Sequence, residues 1–176
     1  MVSLLDAPEV IRRARRVRLL ASDVDGVLTD AGVYYSARGE ELLRFSRRDG
    51  MAVELLRREG IDTAWITRER SPIVAARAAK LEIVHLCAGV RDKLAALPAL
   101  AAAAGVDVDE IAFIGDDVND LDIVEHIARS GLCAAPADAH PALAPRVHYR
   151  CTARGGEGAF REFADFISSL RHEEQL

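Results

Sequence analysis

Apolar residues along the chain fall into short blocks, separated by longer stretches with helical spacing. The blocks are Leu19 to Ala21, Thr63 to Ile66, Ile83 to Cys87, Ile111 to Ile114 and Gly131 to Ala135. Each is bounded by turn residues and reads as a buried strand. Between them the pattern predicts helices over 6–16, Asp49 to Arg58 (stopped at Gly60), Ser71-Pro72 to Leu81, Arg91 to Ala104 (stopped at Gly105) and Asn119 to Arg129. Ser71 then Pro72 is a cap followed by a first helical position. Pro98 should kink or shorten the helix that contains it. A short helix at Ala139 to Ala144, a strand at Val147 to Tyr149, a glycine loop and a last helix from Ala159 to Leu170 complete the chain. The end, His172 to Leu176, reads as a frayed polar tail.

One segment breaks the alternation. Gly32 to Ser36 and Glu41 to Ser46 lean toward strand around Ala37-Arg38-Gly39-Glu40, which predicts a hairpin. A lone hairpin cannot bury both its faces, so this one is expected to pack on another subunit. The rest alternates strand and helix. The expected fold is α/β, a Rossmann-like doubly wound parallel sheet with a small hairpin insertion after strand 1 and no cap domain. A single domain is expected over 1–176, with the hairpin at about 32–46 and the tail at about 171–176.

Composition narrows the function classes. With 176 residues, 50% of them hydrophobic and 29% charged, the chain is long enough for one sizeable core. A net charge of −5 argues against nucleic-acid binding, which needs a basic surface. No apolar stretch reaches membrane-spanning length. Arginines 12, 13, 15, 16 and 18 sit behind the first apolar residues, which is not a signal-peptide order. They read as a solvated helix face. Cys87, Cys133 and Cys151 lack metal-ligand spacing and read as core thiols of a reducing, cytoplasmic compartment.

The chemistry gathers at strand ends, where open α/β sheets carry their sites. Strand one ends in Asp23-Val24-Asp25-Gly26, strand two in Thr67, and strand four in Gly115-Asp116-Asp117; Lys93 opens a helix. Close-set carboxylates stay ionised only beside a cation or strong donors. A carboxylate nucleophile, a second acid/base carboxylate, a hydroxyl and an ammonium together suit phosphoryl transfer with Mg²⁺.

These residues resemble the haloacid dehalogenase superfamily of phosphatases. The matches are Asp23-Val-Asp25-Gly26-Val-Leu-Thr-Asp30, Thr67, Lys93 and Gly115-Asp116-Asp117-Val-Asn119-Asp120. The hairpin, Arg48-Asp49-Gly50, Ala137-Asp138-Ala139-His140-Pro141 and Gly155-Gly156 narrow it to the capless branch acting on eight- and nine-carbon sugar-acid phosphates. The resemblance implies Asp23 as nucleophile and Asp25 as general acid/base. It implies Asp23, the Asp25 carbonyl and Asp116 as Mg²⁺ ligands, and Thr67 and Lys93 as phosphate-binding. Asp117 and Asp120 are implied as support, with Asp117 orienting Lys93 or a bound water. It also implies a homotetramer built through the hairpin, with a neighbouring tail closing the site.

Two departures bear on the substrate. Members of the branch that act on octulosonate follow the threonine with Gly-Arg, where this chain has Arg68-Glu69. Glu69 together with Lys80 is more like the nonulosonate relatives, and both are candidate specificity residues. The tail loop carries Glu157 where an arginine is usual, so Arg154 or Arg161 would have to compensate. Two other classes stay open on residues alone. One is a non-catalytic tetramerisation module of the kind fused to sialic-acid cytidylyltransferases. The other is a receiver domain, disfavoured by the late second acidic pair.

Overall fold

The computed structural model describes residues 7–172; the expected tail beyond His172 lies outside them. Six parallel strands form one sheet: β1 (Leu19–Ser22), β4 (Asp62–Thr67), β5 (His85–Ala88), β6 (Ile111–Ile114), β7 (Leu132–Ala135) and β8 (Tyr149–Arg150). Their order is β5-β4-β1-β6-β7-β8, so the chain winds outward from β1 one way and then the other. The reversal opens a crevice beyond the carboxyl ends of β1 and β6, where this fold class binds ligands. The remaining strands, β2 (Thr29–Ser36) and β3 (Gly39–Phe45), form the separate antiparallel hairpin, entered three residues earlier than the expected Gly32.

Side-chain alternation divides the core in two. Leu20, Trp65, Ala112 and Ile114 face α1 (Ala7–Arg16), α2 (Arg47–Arg58), α3 (Pro72–Lys80) and α6 (Ala159–His172). Leu19, Ala21, Ile66, Phe113 and Cys133 face α4 (Lys93–Ala104) and α5 (Leu121–Ile127). Both faces of β1 are thus sealed, and only its carboxyl tip is left for chemistry.

Several local expectations are corrected. The α4 helix runs through Pro98 without shortening. The proline lies on the exposed side, and the burial of Leu97 and Leu100 outweighs the one backbone bond it removes. The first turn of α2 includes Arg48-Asp49-Gly50, because Ser46 caps it by accepting from the Arg48 amide at 3.1 Å. Residues 139–144 form turns leading into a 3-10 helix at Ala144–Arg146 instead of a helix, and α5 is preceded by a 3-10 turn at Val118–Asp120. The arginine face is not wholly solvated. Arg13 is 7% exposed and donates to the carbonyls of Ala128, Gly131 and Arg129 at 2.9, 2.8 and 3.1 Å, closing the C-terminal end of α5.

Candidate active site

The tip of β1 continues its pairing one residue past the strand, as the Asp23 amide donates to the Ile114 carbonyl at 3.0 Å. The chain then turns on itself. The amides of Leu28 and Thr29 both donate to the Val24 carbonyl, and the Val24 amide donates to Asp23 Oδ1 at 2.6 Å. Gly26 sits in this turn at φ +86°, and a Cβ there would lie 1.9 Å from Asp116 Oδ2. Only glycine lets the tips of β1 and β6 come this close.

Four further side chains converge on the tip. Lys93, 2% exposed at the start of α4, holds its Nζ 2.7 Å from Asp23 Oδ2 and 2.5 Å from Asp120 Oδ1. Asp120 uses its other oxygen to accept from the Asp116 amide at 3.0 Å, so it ties the ammonium to the β6 loop. Thr67, at the end of β4, donates its hydroxyl to Asp25 Oδ2 at 3.2 Å. Asp116 is held through its carbonyl, which accepts from the His140 amide at 2.7 Å, while its Oδ1 is buried without any hydrogen-bond partner.

Charge is unbalanced here. Burial, reinforced by Asp120, pushes the Asp23 carboxyl well above the usual range despite Lys93. Burial and the carboxylates of Asp120 and Asp117 push Asp116 up to about 7. Burial also raises Asp25, with Glu40 and Glu69 adding to it. For Lys93 burial works downward, but Asp23 and Asp120 together hold it above its ordinary value. One ammonium therefore faces three carboxylates. Asp23, Asp116 and Asp120 each offer an oxygen within 4.8 Å of the others. Both oxygens of Asp120 and both of Asp23 are already engaged, so the Oδ1 of Asp116 carries the free capacity. An all-oxygen anionic set fits a hard divalent cation such as Mg²⁺.

No protein-family model matches the chain. Individual proteins do. The chain is 44% identical to 3-deoxy-D-manno-octulosonate 8-phosphate phosphatase of Yersinia pestis over 161 residues, 92% of this chain and 84% of that protein. Its identity to the Escherichia coli K12 enzyme of the same name is 40% over 159 residues, 90% and 83% of the two chains. The crystal structure of the Yersinia pestis phosphatase superposes with a TM-score of 0.86 at 42% identity, covering 93% of this chain and 86% of that one. A Moraxella catarrhalis phosphatase of that name, in complex with magnesium ion, phosphate ion and KDO, matches at TM-score 0.87 and 33% identity over 94% and 93%. The chain belongs to the 3-deoxy-D-manno-octulosonate 8-phosphate phosphatase family, within the haloacid dehalogenase superfamily. It is a phosphatase, a phosphoric monoester hydrolase.

The expected residues do not all gather at the same place. Asp23, Asp25, Thr67, Lys93, Asp116 and Asp120 come together at the β1/β6 crevice. Asp117 does not reach Lys93; it is exposed and accepts from the Val118 amide at 2.7 Å, capping the turn. The short 3-10 turn carries Asp120 back to the ammonium instead. Lys80 is the last residue of α3, about 12 Å along the helix from its start, away from the carboxylates. Glu69 stays on the Thr67 loop beside Asp25.

The family departures also resolve locally. Arg68 does not have the positive φ that would demand glycine, so its side chain introduces no backbone strain. Arg154 pairs with Asp138 at 3.3 Å and Arg161 with Asp165 at 2.7 Å, so both arginines beside Glu157 are already engaged. One contact had no signal in the sequence: Glu40 of β3 accepts a hydrogen bond from the Ser71 hydroxyl, bringing the hairpin onto the start of α3. That contact depends on the hairpin folding back, which local pattern does not encode.

Proposed function

We propose that this phosphatase hydrolyses 3-deoxy-D-manno-octulosonate 8-phosphate with Mg²⁺, through an aspartyl-phosphate on Asp23. The observation that carries the reading is the buried Asp23, paired to Lys93 and set beside an unpartnered Asp116 oxygen. The substrate named for the relatives supports the sugar acid.

Asp23, Asp116 and the Asp25 carbonyl would hold the ion. When bound, Mg²⁺ supplies positive charge that offsets the repulsion between nucleophile and phosphate. The residues do the rest. An Asp23 oxygen attacks phosphorus as the bond to the sugar oxygen breaks, and Asp25 donates its proton to that leaving oxygen. Burial favours the protonated Asp25 this step requires. Thr67 and Lys93 hold the phosphoryl oxygens. Asp25, now ionised, takes a proton from water, which attacks phosphorus, releases phosphate and frees Asp23.

Glu69 favours a second substrate, a nonulosonate 9-phosphate, since a carboxylate there suits additional sugar hydroxyls. A homotetramer through the hairpin fits the exposure of Tyr34, Tyr35 and Leu42, at 69, 71 and 62%. Free Cys87, Cys133 and Cys151 agree with a cytoplasmic setting, and no helix among the described residues is long and apolar enough to cross a membrane. A non-catalytic module has no need of uncompensated buried carboxylates. Phosphate release from the eight- and nine-carbon substrates, with Mg²⁺ and with chelator, decides among these. The expected result is Mg²⁺-dependent turnover that favours the octulosonate and vanishes in Asp23→Asn. Preference for the nine-carbon ester would reassign the substrate, and no turnover of any ester would reject the enzyme reading.

A further inference from the structure

A sugar-acid phosphate carries a second anion, the carboxylate remote from its phosphate. The mouth of the site is poorly suited to it, because Glu40 and Glu69 both act on Asp25 there. Of the nearby cations, Lys93 is shared between Asp23 and Asp120, Arg154 is on Asp138, and Arg161 is on Asp165. Arg70 belongs, with Arg68 and Arg91, to a second set of exposed arginines whose guanidinium groups have no hydrogen-bond or ion-pair partner among the described residues. Arg70 lies across the backbone of Gly89, where a Cβ would come 2.5 Å from Nε and 2.9 Å from Cζ.

The loop that carries Arg70 is pinned at both ends. The Glu69 amide donates to the Thr67 hydroxyl at 3.0 Å, and the Gly89 and Val90 amides donate to the carbonyls of Glu69 and Thr67 at 3.2 and 3.0 Å. Ser71, the next residue, is fixed by Glu40 and by the Val74 amide. A fork of donors on a pinned loop, seated against a glycine and three residues from the phosphate-binding threonine, suits a planar anion.

Resting on the sugar-acid reading above, we propose that Arg70 binds the substrate carboxylate as a bidentate pair and so selects acid sugars over neutral ones. In the Mg²⁺-loaded full chain, Arg70→Gln should raise KM for 3-deoxy-D-manno-octulosonate 8-phosphate about ten- to hundredfold more than KM for glucose 6-phosphate, with kcat for the acid sugar little changed. Arg70→Lys should recover part of the loss, since an ammonium keeps the charge without the fork. Gly89→Ala, which displaces the guanidinium, should reproduce the selective loss. Equal effects on both substrates, no effect, or a selective loss in Arg68→Gln or Arg91→Gln instead would overturn the assignment. Calorimetric binding of the two sugar phosphates to Asp23→Asn, with and without Arg70→Gln, reads the carboxylate preference without turnover. A wild type that releases no phosphate would then count against the function while this comparison still judges Arg70.

Discussion

The two ends of the sheet treat buried charge in opposite ways. At the amino end, Arg13 is buried but fully answered, with three carbonyls and Glu9 around its guanidinium. At the carboxyl end, the buried carboxylates of Asp23 and Asp120 share one lysine, and beside them a half-buried Asp116 has an oxygen with nothing to accept from. A buried charge with a complete set of partners holds a fold together; one without them strains it. The strained end is where a cation and a phosphate are to arrive. The contrast predicts that mutations at the two ends fail differently.

The largest effect belongs to the carboxyl end. Asp23→Asn should lower phosphatase activity by more than about a thousandfold, since no other carboxylate at the tip can take the phosphoryl group. Its metal-free thermal stability should not fall, because the substitution removes a buried charge that the site disfavours. Activity assays with thermal melts on the same preparation check both parts. A large drop in melting temperature would mean that the Asp23–Lys93 pair is structural first.

Arg13→Met should show the reverse. Three carbonyls at the end of α5 lose their donors, at a cost of about 2–4 kcal/mol. The melting temperature should drop by about 4–16 °C while kcat is retained. Loss of kcat without loss of stability would erase the distinction between the ends.

The ends also differ in pH dependence. Asp116 is pushed up to about 7 when folded, against an ordinary 3.8, so between these the folded state holds an extra proton. Its contribution to stability therefore falls as pH rises through that window. Asp49, buried and raised to about 6, acts in the same sense. His148, near Arg13, is lowered to about 4 by burial and then by Arg13, against 6.5. It holds fewer protons when folded, so its contribution rises from about pH 4 to about pH 6.5. Metal-free protein should thus lose stability from about pH 4 to about pH 7, with His148 offsetting part of the loss below about pH 6.5, and Mg²⁺ should raise the melting temperature more at the higher pH. Asp116→Asn should flatten the decline and shrink the Mg²⁺ effect. An unchanged slope would show that Asp116 does not feel the strain assigned to it.

How far the sequence could be read follows from the same geometry. The strands and the β1 and β6 tips were legible because apolar runs ending in Asp-x-Asp-Gly and Gly-Asp-Asp are local signals. Ser71-Pro72 was legible as well, and it caps α3 as expected. What could not be read depended on contacts distant in sequence. Arg13 looks like any surface arginine until α1 is placed against the end of α5, 115 residues away. The resemblance implied that Asp117 orients Lys93 or a bound water, whereas a 3-10 turn carries Asp120 to the lysine. Lys80 was a candidate by likeness to the nonulosonate relatives, and the length of α3 sets it apart from the carboxylates of its own chain. Pro98 misled because a propensity was read without the burial that overrides it.

The amino end holds one local strain of its own. Glu82, after α3, has φ +56°, a left-handed conformation that costs a non-glycine residue about 1–2 kcal/mol. Arg57 compensates in part, pairing with the Glu82 carboxylate at 2.7 Å and donating to the Leu81 and Glu82 carbonyls. Both side chains are well exposed, so the ion pair itself is worth less than about 1 kcal/mol. The carbonyl bonds survive any change at position 82. Glu82→Gly removes the strain and the ion pair, and it loosens the unfolded chain. The balance favours the folded state by up to about 1 kcal/mol, a rise of about 1–4 °C in melting temperature with activity unchanged. Glu82→Gln, which keeps the strain and removes only the charge, should move it by less than about 2 °C. If Glu82→Gly melts lower than wild type, the Arg57 pair outweighs the backbone, and the amino end answers even its exposed charges as fully as it answers Arg13.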